Sequence, residues 1–130
     1  EYTDLNGKKI TQGNYVNGNE EGEWSWYYLS GKIDTEGNYR SGSRDSVWNT
    51  YYQHGTKYTT SVYTNDKREG VTQYFSTNGI LMLEKLFNND LMVAYRVIDM
   101  GTAKPGDWIA FTGNAKIECK FPDGKIAYQE

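Results

Sequence analysis

With 130 residues the chain is sized for one domain, and its net charge of −3 lacks the cationic cluster that nucleic acid or an anionic lipid surface would require. Apolar residues make up only 37%, but four Trp, twelve Tyr and four Phe supply rings enough for a core, which argues against a disordered chain. No apolar run approaches the length of a membrane-spanning helix, so no membrane insertion is expected, and the single Cys119 excludes an intrachain disulfide.

An internal period organises the chain. Gly7, Gly31, Gly55 and Gly79 follow one another at intervals of 24 residues. Eight residues after each stands Tyr15, Tyr39, Tyr63 or Phe87, and further on Tyr27, Tyr51 and Phe75 align. Each unit carries two turn signals. Asn17-Gly18, Ser41-Gly42, Asn65-Asp66 and Asn89-Asp90 tolerate positive φ and suit tight hairpin turns. Asn6-Gly7, Ser30-Gly31, His54-Gly55 and Asn78-Gly79 form the second set. The spacing predicts an all-β chain: tandem 24-residue β-hairpins forming an elongated antiparallel meander. The units are 7–30, 31–54, 55–78 and 79–102, with a degenerate capping unit over 103–130.

The ends refine this frame. Tyr2, Leu5, Asn6 and Gly7 align with Trp26, Leu29, Ser30 and Gly31, so the chain is expected to open inside a strand, with more array possible upstream. Unit four is the most apolar (Ile80 to Leu83, Leu86, Phe87, Leu91 to Val93) and is expected to be the best packed. In the terminal part, Pro105-Gly106-Asp107-Trp108 echoes Glu21-Gly22-Glu23-Trp24. Gly113, Ile117, Phe121 and Gly124 repeat the spacing of Gly31, Thr35, Tyr39 and Gly42, which equates Cys119 with Gly37 and makes it a small buried thiol. This irregular end is expected to cap the sheet edge.

Strand alternation places Trp24, Trp26 and Tyr28 on one face, with Trp48, Tyr52 and Tyr74 following them. Tyr27, Tyr51 and Phe75 fall on the other, which is expected to be the more buried. The first set degrades to Thr72 and Ser76, as a partly exposed face would. It forms the candidate binding face: Trp24, Trp26, Tyr28, Trp48, Tyr52 and Tyr74. Packing across strands accounts for the same rings. No catalytic, cofactor or metal site is expected. His54 is the sole histidine and sits at a turn position, and zinc needs three or four converging ligands. Glu20, Glu21, Asp45, Asp66, Glu69 and Asp90 could line calcium along the turns, but Arg44, Lys67 and Arg68 share those turns.

The stretch Gly22-Glu23-Trp24-Ser25-Trp26-Tyr27-Tyr28 carries a resemblance that Ser46-Val47-Trp48-Asn49-Thr50-Tyr51-Tyr52 and Gly70-Val71-Thr72-Gln73-Tyr74-Phe75 continue. The pattern resembles the bacterial MORN-repeat variant, YwqK-like family. The resemblance implies a β-hairpin interaction scaffold without an active site, in a family often labelled antitoxin-like or envelope-associated. The expected function is therefore non-enzymatic binding of a protein partner. A glycan stacked on the aromatic face and an antitoxin role are the alternatives. Glu1 is not an initiator methionine, so a trimmed chain, exported or envelope-bound, is also expected.

Overall fold

The computed structural model describes residues 2–3, 5, 7–113 and 116–130; Asn6, half of one expected turn dipeptide, lies outside them. The strands in chain order are β1 (Tyr2–Thr3), β2 (Lys9–Val16), β3 (Asn19–Tyr27), β4 (Ile33–Arg40), β5 (Ser43–Tyr51), β6 (Lys57–Thr64) and β7 (Lys67–Arg68). They continue as β8 (Gly70–Phe75), β9 (Leu81–Asn88), β10 (Leu91–Asp99), β11 (Lys104–Pro105), β12 (Ile109–Ala110), β13 (Glu118–Lys120) and β14 (Ile126–Gln129). Antiparallel neighbours from β1 to β6 and on through β8, β9 and β10 form one meander, with β7 also paired to β6 and with β11 and β12 lying along β10. The chain is all-β, as its turn spacing predicts, and β13–β14 form a second, two-stranded sheet.

The two sets of turns differ in kind. Asn17-Gly18, Ser41-Gly42, Asn65-Asp66 and Asn89-Asp90 have both residues at positive φ (Asn65 +49°, Asp66 +70°), the type I′ geometry that matches strand twist. In Ser30-Gly31, His54-Gly55 and Asn78-Gly79 only the glycine is left-handed. The Gly31 N–H donates to Tyr28 O at 2.9 Å, and the Tyr28 N–H to Lys32 O at 2.8 Å. This three-residue loop with a glycine bulge recurs at Tyr52–Gly55 and Ser76–Gly79.

A third device sits inside the hairpins. Opposite Gln12 and Asn14 the partner residues on β3 are Ser25 and Glu21, so β3 carries two extra residues. Gly22 absorbs this bulge at φ +72°, and Gly70 and Ser46 repeat it at +82° and +62°. Ala94, at the same place in unit four, is not left-handed, and there the bulge shrinks: Met92 faces Phe87 and Ala94 faces Leu86. Arg96, aligned in sequence with Trp24 and Trp48, consequently pairs with Glu84 and points to the opposite face.

Direct pairing fixes the two faces. One, the ring face, has a row running Thr11, Trp26, Thr35, Thr50, Thr59, Tyr74, Leu83. Beside it Trp24 pairs with Gly37, Trp48 with Ser61, and Thr72 with Lys85. The reason for those small residues is contact. A Cβ on Gly13 would lie 2.0 Å from the Trp24 ring, and one on Gly37 would lie 2.1 Å from Trp48. Each indole lies flat on the backbone of the strand before it. Where unit three has Ser61 instead of glycine it has Thr72 instead of tryptophan, and their hydroxyls bond at 3.1 Å.

Unit four is the best-packed part, as its composition predicts. Met82, Leu83, Tyr95, Met100, Ile117 and Cys119 form the core cluster. The last two come from the β13–β14 hairpin, which lies against the end of the main sheet. Its turn overturns the expected alignment. Gly124 N–H donates to Phe121 O and Phe121 N–H to Lys125 O, the geometry of Gly31 and not of Gly42. A register shift after Cys119 matches the one after Trp26. Cys119 is thus equivalent to Trp26, not Gly37, and Ile117 to Trp24. They remain the inward positions, reduced in size because here they face a second layer. Trp108 also departs from its expected echo of Trp24: it is 39% exposed and stacks on the Arg96 guanidinium at 4.5 Å.

Gly37→Ser should destabilise the protein by about 1–3 kcal/mol, since the ring has nowhere to move. Adding Trp48→Thr, which installs the Ser/Thr pair of unit three, should make the double variant less unstable than the sum of the singles. Urea unfolding of the four proteins reads this coupling. Ser46→Gly should stabilise by about 1 kcal/mol, because it relieves a left-handed non-glycine residue; a lowered urea midpoint would contradict it.

Candidate functional site

The six sequence candidates lie on or beside the ring face; Trp26, Tyr28, Tyr52 and Tyr74 are half-buried, but Trp24 and Trp48 depart from the expected partial exposure. Trp24 and Trp48 are 4% and 7% exposed, whereas Tyr27, Tyr51 and Phe75 are half-buried on the other face. The reason is the Gly13 and Gly37 floor together with ring-edge contacts. Tyr15 and Tyr39 meet Trp24 edge-on at 5.0 and 5.9 Å, and Tyr39 and Tyr63 meet Trp48 at 5.1 and 6.0 Å. Each indole N–H also donates to a backbone carbonyl, Trp24 to Asn14 and Trp48 to Asn38. Trp26 is half-buried, bracketed by Trp24 and Trp48 at 6.0 and 5.7 Å.

The remaining candidates tie unit to unit. Tyr28 donates to Tyr51 O at 2.5 Å and Tyr52 to Phe75 O at 2.7 Å, each reaching into the following unit. Burial, then the neighbouring Tyr58, pushes the Tyr52 phenol up to about 12. His54, stacked on Tyr52, bonds Thr77 O at 2.7 Å, which gives the lone histidine a structural place. Tyr74 lies under the C-terminal hairpin, 5.6 Å from Tyr128 and 4.9 Å from Lys85 Nζ. Lys85 is buried and held by Glu130 at 2.6 Å. Burial also pushes the Cys119 thiol up to about 11, so it stays protonated at neutral pH, and its Sγ–H donates to Met82 O.

Several recesses are open among the described residues, one of them on the ring face and another on the opposite face. On the ring face a concavity of about 390 Å³ is lined by Trp26, Thr35, Tyr39, Arg44, Trp48, Thr50, Thr59, Ser61 and Tyr63. It spans β3 to β6, beside the strands on which the C-terminal hairpin packs. The other face carries a polar row from Gln12 through Ser25, Glu36, Asn49, Thr60, Gln73 and Glu84 to Arg96, each residue directly opposite the next. Within it a recess of about 270 Å³ opens between Glu23, Glu36, Asn38 and Asn49. Tyr51 donates its hydroxyl to Glu36, and burial followed by this bond raises its phenol to about 12. Sequence reading passed over this row because its members share no residue type; only strand parity carries the signal.

The turn acids bind neighbouring turns. Asp66 accepts from the Arg44 backbone N–H at 2.8 Å and Nε at 3.1 Å, and Asp90 accepts from Arg68 Nε at 3.0 Å. Glu21 and Glu69 accept the N–H of Ser41 and Asn89 in the next turn. Among the described residues no group of three or more His, Cys, Asp or Glu could hold a metal ion.

The repeat geometry also frames the comparison with known proteins. The MORN repeat variant model matches residues 20–41 and 68–89, less than half of the chain. Both stretches run from the outgoing side of one type I′ turn into the next, two repeats apart. The match supports the repeat family that Gly22 to Tyr28 resembles. No curated protein matches the chain.

Asp66 is held below the usual carboxylate range, first by the Arg44 backbone bond and then by its side chain; Asp90 is held there by Arg68. Glu130 is also low, burial acting upward but the Lys85 and Tyr128 hydrogen bonds outweighing it. Depressed folded-state values give stability that is present above the unfolded values, near pH 4, and lost as pH falls through the folded ones. The urea midpoint should therefore drop between pH 6 and pH 3, and Asp66→Asn should flatten that slope.

Proposed function

We propose that the chain is a non-enzymatic repeat scaffold that binds an extended segment of a protein partner along the ring face of its first units. The observation that carries this reading is the way the face is used within the molecule. Over units three and four, β13–β14 lies on it, seating Ile117, Cys119 and Tyr128 against Met82, Leu83 and Tyr74. From β6 back to β3 the same face continues as the open recess between Trp26, Tyr39, Trp48 and Tyr63, with a Thr35, Thr50, Thr59 floor. A peptide strand offers what that recess takes: apolar side chains for the ring walls and polar groups for the hydroxyls.

The glycan alternative depended on exposed indole planes. Trp24 and Trp48 offer none, since one plane lies on glycine backbone and neighbouring rings close in around it. An antitoxin role is one instance of the protein-binding reading, with a toxin as the partner.

A photo-crosslinking residue at Thr50 in the full chain should trap a discrete protein adduct in extract of the native source. Trp26→Ala, checked for fold by circular dichroism, should abolish it. An adduct that survives Trp26→Ala would sink the ring-face reading, and glycan-array binding lost in Trp26→Ala without any protein adduct would favour the sugar alternative.

A further inference from the structure

Glu36 and Glu84 stand two repeats apart at the same position of the polar row, and their partners differ: Glu36 accepts the Tyr51 hydroxyl and has no cation, whereas Glu84 has one. Glu84 has a cation: Arg96, on the following strand, donates Nε to Oε1 at 2.7 Å, while Gln73 donates to Oε2 at 3.0 Å. This pair is well covered, with the Glu84 side chain 8% exposed. Beside Glu36 the following strand offers Asn49 instead. Its Oδ1 is a buried acceptor without a hydrogen-bond partner. Among the described residues no cation pairs with Glu36 or with Glu23 across the recess.

We infer that this recess on the polar face is a recognition site for an arginine side chain of the protein partner. It rests on the protein-binding reading but uses the opposite face. About 270 Å³ is several times the roughly 30 Å³ share of one water molecule, room for a guanidinium and its adjoining methylenes. The acceptors lining it are the Glu23 and Glu36 carboxylates, one Glu36 oxygen bonded to Tyr51, and the Ser25 hydroxyl, with the covered, unpartnered Asn49 carbonyl opposite Glu36, whereas a guanidinium presents only donors in a planar fork. Exposed Val47 lines the recess, and exposed Val62, paired with it across β5 and β6, extends the apolar surface on which the aliphatic stem can lie. The incoming guanidinium restores at Glu36 what Arg96 supplies at Glu84.

The test is an NMR titration of the 15N-labelled full chain with acetyl-Gly-Arg-Gly-amide, and with its lysine and norleucine counterparts. Saturable shifts are expected at Ser25, Glu36 and the Asn49 side-chain amide, strongest for arginine and absent for norleucine. Glu36→Gln, which keeps a carbonyl for Tyr51, and the exposed Glu23→Gln should each weaken binding at least fivefold. Trp26→Ala should leave it unchanged, which separates this site from the ring face. No saturable shift, equal binding of the lysine peptide, or full affinity in both glutamine variants would overturn the assignment.

Discussion

The contact between an indole and a bare backbone governs this molecule. Trp24 lies on Gly13 and Trp48 on Gly37, closer than any side chain would permit. A single sheet has no second layer to bury its rings against, so the first units press their rings into the sheet itself. Burying a tryptophan in this way removes a large apolar area from water and leaves its N–H free to reach a carbonyl on the neighbouring strand. Tyr15, Tyr39 and Tyr63 then pack edge-on around the indoles, so the ring ladder acts as a one-layer core.

The same face is stabilised differently at its other end. There the Gly–Trp pair gives way to Ser61–Thr72 and then to Lys85, and the rings are replaced by a covering hairpin. Each solution suits its surroundings. Indoles lying flat leave the sheet surface open between Trp26 and Tyr63, while the hairpin closes it over Met82 and Leu83. The molecule therefore has one end whose face is filled and one whose face is available.

A small change in backbone geometry produces the asymmetry of the polar face. Gly22, Ser46 and Gly70 hold a two-residue bulge that keeps the second strand of each hairpin in phase. With Ala94 outside the left-handed region the bulge loses a residue, and Arg96 turns from the ring face to the polar one. It arrives beside Glu84, the repeat equivalent of Glu36, whereas Glu36, in a unit that keeps its bulge, faces Asn49. One residue of register is enough because side chains alternate with a period of two.

The sequence by itself determined the all-β class, the 24-residue period, the hairpin turns and the shared face of Trp24, Trp26 and Trp48. These follow from local rules: which residues accept positive φ, and how a strand alternates. It also placed the densest packing in unit four, through the run from Ile80 to Leu83. Which face is buried was decided only by tertiary structure. Burial of Trp24 depends on Gly13, eleven residues earlier on another strand, and the rings read alone gave the opposite answer. The phase of the C-terminal hairpin was likewise beyond sequence spacing, because the step from Gly113 to Gly124 copies that from Gly31 to Gly42, and only the hydrogen bonds at Phe121 put Gly124 at the place of Gly31. The polar row needed the strands themselves: Gln, Ser, Glu, Asn and Thr share no chemistry as letters, and become one surface only when pairing sets them side by side.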